Sequence, residues 1–114
     1  MTVEPDELSR AVAHSAEAAG LNAPVPTLLL ELQTLLGTLC ATVAHETDRG
    51  RKPFRPGPEW ASRLGELAYG VYLLADQTVV DLPREIAATA SRVGGNARPQ
   101  PDIAPEPGDF FERG

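Results

Sequence analysis

Leu28, Leu32, Leu35, Leu36, Leu39 and Val43 recur at i, i+4, i+7, i+8, i+11 and i+15. That 3.6-residue period draws a wide apolar stripe down one side of a helix, and no strand can present it on a single face. Pro24 and Pro26 suit the opening of this helix, which is expected over residues 26–46. A second stripe on the same helix is polar: Glu31, Thr34, Thr38, Thr42 and His45. One face therefore serves a core and another can line a cleft. Cys40 sits between Leu39 and Ala41 and reads as a small buried hydrophobe.

The rest of the chain repeats the helical theme. A first helix is expected over residues 6–19, with Asp6 as N-cap and Gly20 as a stop. Its face of Leu8, Val12, Ala16 and Ala19 is weak, so it should pack on the domain without anchoring it. Gly50, Pro53, Pro56 and Gly57 forbid a helix across residues 48–57. A third helix opens near Pro58-Glu59. Trp60, Leu64, Leu67, Val71, Leu74 and Thr78 line its apolar side; Glu59, Arg63, Glu66, Gly70 and Leu73 line another. After a β-branched joint at Thr78-Val79-Val80, Asp81 caps a short fourth helix, with Pro83 in its first turn and Ile86, Ala90 and Val93 inward. Gly94-Gly95-Asn96 should stop it. The expected fold is all-α: a four-helix domain over residues 1–93 and an extended or disordered Pro-rich tail over 94–114. The tail ends in an aromatic pair, Phe110-Phe111, that either docks or stays a free end.

Charge and composition narrow the function. Sixteen acidic residues against ten basic give a net charge of −6, which disfavours nucleic-acid binding because duplex affinity depends on cations neutralising phosphates. A lone cysteine excludes an internal disulfide and fits a reducing, cytoplasmic setting. The acidic start has no signal-peptide core. The apolar run Leu28-Leu29-Leu30 is broken by Glu31, so no membrane span is expected. There is no P-loop, dinucleotide fingerprint or zinc spacing. A chain of 114 residues buries a modest core, so a homo-oligomer is expected. Arg49, Arg51, Lys52 and Arg55 gather in the loop before the third helix. They form either a phosphate-holding loop or a solvated connector.

The run from Arg63-Leu64-Gly65-Glu66 through Tyr69-Gly70-Val71-Tyr72 to Ala75-Asp76, closing on Val80-Asp81-Leu82-Pro83, resembles the second metal-binding helix of the MazG-like all-α nucleotide pyrophosphohydrolases, the group that includes dCTP pyrophosphatases. The resemblance covers about residues 26–83. It implies a helical bundle that dimerises, and Mg²⁺-dependent cleavage of a nucleoside triphosphate to the monophosphate and pyrophosphate. In that family two antiparallel helices carry ExxE and ExxD pairs. Residues three apart share a helix face, so four carboxylates converge and hold Mg²⁺ through hard oxygen ligands. Matched position by position, the metal ligands fall at Glu31 and Glu66. Thr34 and Arg63 stand where the other two carboxylates belong. The resemblance makes Arg63, Arg51, Lys52 and Arg55 the substrate-binding candidates; no catalytic base is assigned. The family's later Lys and Asn have no counterpart at Thr89 and Val93. Glu59, Arg63 and Glu66 also stand at i, i+4 and i, i+3 spacing, which makes an ion-pair ladder on one helix. A reduced metal site and a salt-bridge cluster, hence an enzyme and a non-catalytic dimer or interaction module, are both open at this point.

Overall fold

The structure, a computed structural model, describes residues 5–96. The Pro-rich segment and Phe110-Phe111 lie outside the described residues. Four helices follow one another: α1 (Pro5–Ala19), α2 (Val25–Glu46), α3 (Trp60–Gln77) and α4 (Leu82–Asn96), with no strand among the described residues. The chain divides into two units ahead of Arg84.

In the first unit, α3 packs against both α2 and α1. Leu28, near the start of α2, clusters with Leu73, near the end of α3. Leu39 and Glu46, further along α2, meet Trp60 and Arg63 at the start of α3. The two long helices therefore run antiparallel. Their approach is close at Gly70, where a Cβ would stand 2.6 Å from Leu32 Cδ2 and 3.2 Å from Leu32 Cγ.

The buried cluster is Val12, Ala16, Leu28 and Leu73, with Ala23, Tyr69, Tyr72 and Leu74 packed around it. Helix α1 supplies half of that cluster and does anchor the core, against expectation. Val12 and Ala16 are small, and smallness is what lets α1 lie close to the two tyrosines of α3. A Ser15 Oγ–Tyr69 Oη hydrogen bond of 2.7 Å ties the same helices. Gln77 Nε2 donates to Asn22 Oδ1 at 2.9 Å, fastening the loop between α1 and α2 to the end of α3. Asp6 falls inside α1, not at its N-cap.

Two inward faces differ from the expected ones. On α3 the core side holds Tyr69, Tyr72 and Leu73, while Leu64 and Val71 are exposed. The helix has two apolar sides, and the glycine-bearing one turned in because Gly70 admits α2. On α2, Leu28 and Leu39 are buried, Leu32, Leu35 and Val43 half-buried, and Leu36 is 51% exposed. Cys40 is exposed, not buried. Only 11% of the most apolar stretch of α2 is buried, and the helix is long and apolar enough to cross a membrane by length and composition. Glu31, within that apolar stretch, does not lower it below that threshold, contrary to expectation.

The loops explain the helix ends. Thr47 Oγ1 donates to Val43 O at 2.7 Å and accepts from Gly50 N at 3.0 Å, closing α2 from within the chain. Asp48, Arg49 and Gly50 then take left-handed backbone angles, and Arg49 N and Lys52 N bond back to Ala44 O and Thr47 O. After α3, Val79 is left-handed at φ 57° while Val80 N reaches Ala75 O at 2.9 Å. That is the backbone of a Schellman-type helix stop, with valine where glycine is usual.

In the second unit, α4 begins just after Asp81, with Pro83 in its first turn. It continues through Gly94 and Gly95 to Asn96, past the expected stop. Of the expected inward face, Ile86 is 50% exposed, Ala90 is exposed and Val93 is half-buried, and no residue of α4 is fully buried.

Candidate functional site

A groove of about 410 Å³ runs between α2 and α3. Leu28, Leu32 and Leu35 form one wall, Tyr69, Gly70 and Leu73 the other, and Leu21 closes an end. Its size and apolar lining are those of a small-molecule site. Two carboxylates border it, Glu31 from α2 and Glu66 from α3. Antiparallel packing brings them to one opening although they come from different helices. Both are exposed.

The α3 wall follows from Glu66 by helical spacing. Tyr69, Gly70 and Leu73 lie three, four and seven residues on, so all four share one side. Sequence reasoning placed Gly70, Leu73 and Glu66 together but left Tyr69 and Gly65 out; the same count from Glu66 finds Tyr69. Leu21 carried no periodic signal, since it lies in a loop.

The remaining candidates are placed elsewhere. Thr34 Oγ1 donates to Leu30 O at 3.0 Å on its own helix and does not line the groove. Arg63 bridges both neighbours on α3: Nη2 stands 3.8 Å from Glu59 Oε2 and Nη1 stands 3.7 Å from Glu66 Oε1. The i, i+4 and i, i+3 ladder is thus formed. It is solvent-exposed, so each pair contributes only a few tenths of a kcal/mol, on the order of 0.3. Arg63 faces a smaller pocket of about 140 Å³ with Leu39, Thr42, Glu46 and the edge-to-face pair Phe54–Trp60.

The basic loop is not at the groove. Lys52 and Arg55 border a shallow depression with His45 and Glu46 at the far end of α2. Glu31 and Glu46 are separated by about 22 Å of helix at 1.5 Å per residue. Arg51 pairs with Asp48 at 3.4 Å. Of the four cationic candidates, Arg63 stands beside Glu66, whereas Arg51, Lys52 and Arg55 do not line the groove.

A Mg²⁺ centre of the kind the resemblance implies needs carboxylate oxygens around one point. Among the described residues no three of His, Cys, Asp and Glu gather so as to hold a metal ion. Glu66, one of the two remaining carboxylates, already faces a guanidinium. A dication about 4 Å from Arg63 would be repelled by roughly 2 kcal/mol in bulk water and roughly 8 kcal/mol at an effective dielectric of 20. The residues present do not fit the metal.

No family model, no curated protein and no solved structure matches this chain.

Proposed function

We propose that this chain is a helical interaction module on a MazG-like scaffold, in which an ion pair takes the place of a divalent-cation site. The observation that carries this reading is Arg63, held between Glu59 and Glu66 at the position where the resemblance expects a carboxylate. Arginine stays protonated at any physiological pH, so no change of conditions frees the position for a cation. The packed helical pair persists without the metal because leucine burial, not coordination, holds it.

A second reading keeps the pyrophosphohydrolase activity, with a nucleoside triphosphate as ligand. One observation favours it: Glu31 and Glu66 border the same groove.

Calorimetric titration with Mg²⁺, then with deoxynucleoside triphosphates in its presence, followed by a pyrophosphate-release assay, decides between them. The module reading expects no heat from Mg²⁺ and no pyrophosphate. Release that requires Mg²⁺ and disappears on Glu31→Ala or Glu66→Ala would overturn it in favour of the enzyme.

A further inference from the structure

The α2–α3 groove has one chemistry inside and another at its margin. Leucines from both helices, with Leu21 of the loop, make the interior apolar. The charged margin is carboxylate alone: Glu31 and Glu66 border the groove, and no Lys, Arg or His among the described residues does. Tyr69 adds no free hydroxyl, because its Oη is engaged with Ser15 Oγ at 2.7 Å.

That arrangement selects by charge. A polyanion such as a triphosphate meets two like charges there, and Lys52 and Arg55, which would attract it, stand at the far end of α2. A neutral apolar molecule fills the interior and leaves the margin unused. An ammonium on an apolar body uses both: its carbon skeleton displaces water from the leucines, and its three N–H donors are enough for a carboxylate from each helix. The two carboxylates are not equivalent. Glu66 already faces Arg63 at 3.7 Å. Among the described residues Glu31 pairs with no cation.

Size decides between a free molecule and a partner chain. The groove holds about 410 Å³, within the range of about 300–1,000 Å³ that accepts one small molecule. Leu21 closes one end. A peptide helix or strand laid along the groove would have to run out past that end.

We infer that the groove binds a small apolar amine, with its hydrocarbon body between α2 and α3 and its ammonium at Glu31 and Glu66. The inference goes beyond the interaction-module reading. It rests on that reading in one point, that Arg63 and not a dication neighbours Glu66.

The test is an NMR titration of the full ¹⁵N-labelled chain, in chelator, with 4-phenylbutylamine. Its amine is protonated at pH 7, as a lysine's is. 4-Phenylbutanol and 4-phenylbutanoate carry the same skeleton without that charge or with the opposite one. The amine should saturate amide shifts at Leu32, Leu35, Tyr69 and Leu73 and bind about tenfold tighter than the alcohol, since each exposed carboxylate contributes about threefold. The carboxylate probe should not saturate. Glu31→Gln should weaken the amine about threefold. Glu31→Gln with Glu66→Gln should bring it to the level of the alcohol, whose affinity stays unchanged. Both residues are exposed, so the variants should keep the helix content of the wild type. About 1 M NaCl should likewise erase the preference in the wild type.

Equal binding of amine and alcohol would overturn the inference, as would an amine affinity indifferent to both Gln substitutions. So would shifts centred on the exposed Leu29, Leu36 and Leu64, or no saturation by the amine. Millimolar Mg²⁺ at matched ionic strength should not displace the amine. Displacement would overturn the ion-pair reading of the rim and leave the ligand class standing; a silent amine together with silent Mg²⁺ would overturn the ligand class alone.

Discussion

Two glycines of α3, five residues apart, should respond to alanine in opposite directions. Gly65 and Gly70 are both in the helix interior, where glycine costs about 1 kcal/mol relative to alanine. A Cβ on Gly65 meets nothing within 4 Å, so Gly65→Ala should realise that gain, about 1 kcal/mol. A Cβ on Gly70 meets Leu32 Cδ2 at 2.6 Å and Cγ at 3.2 Å. The terminal methyl can swing away, but the Cγ contact also requires the leucine stem to move. Overpacking of this kind costs about 1–3 kcal/mol. Gly70→Ala should therefore be neutral to about 2 kcal/mol destabilised, with the two variants separated by about 1–3 kcal/mol. Urea unfolding followed by circular dichroism measures both at constant m-value, and the separation corresponds to at least about 4 °C in Tm. Leu32→Ala in the Gly70→Ala background should show a favourable coupling, because it removes the opposing atoms. If Gly70→Ala stabilises as much as Gly65→Ala, the close approach of α2 and α3 is not what turns α3 inward.

Arg63→Glu supplies a third carboxylate beside Glu31 and Glu66. This variant, and not the wild type, should gain about 1.4 kcal/mol of stability at Mg²⁺ tenfold above its Kd, read as a Tm shift with and without chelator. Thr47→Val keeps the shape of a buried residue but strands Gly50 N, while Val43 O keeps its bond from the backbone N–H of residue 47, and should cost about 1–3 kcal/mol in denaturant unfolding. Val79 is 93% exposed and β-branched at a left-handed φ, so Val79→Gly should stabilise by about 0.5–1 kcal/mol in the same assay, net of glycine's larger unfolded-state entropy. A loss of stability there would mean that the valine side chain makes a contact absent from the isolated chain.

Local rules made most of the helices legible. Proline and glycine clusters mark the breaks at Gly20 to Pro24 and Gly50 to Gly57, and α2 ends within a residue of its expected bounds. The Arg63 ladder was legible for the same reason: its partners lie one turn away on one helix. The stop at Gly94 was misplaced because glycine weakens a helix without forbidding it. At the candidate site, Glu31 and Glu66 carry a signal as residue types, whereas Tyr69 and Leu21 do not.

Periodicity states which residues share a side of a helix, and so the all-α class, the stripe on α2 and the ion pairs on α3 follow from the sequence by itself. It does not state which of two apolar sides turns inward. Helix α3 offered Trp60, Leu64, Leu67, Val71 and Leu74 on one side and Tyr69 and Leu73 on the other, and only the tertiary structure decided between them. The decision rests on distance of approach: Gly70 lets Leu32 come close, Val12 and Ala16 let α1 lie on the tyrosines, and of the other side Leu74 still packs on the core while Leu64 and Val71 stay exposed. That choice also placed Glu31 beside the same groove as Glu66, left the basic loop at the other end of α2, and left Leu64 and Val71 on the surface. Each depends on atoms far apart in sequence meeting through packing, which no local pattern encodes.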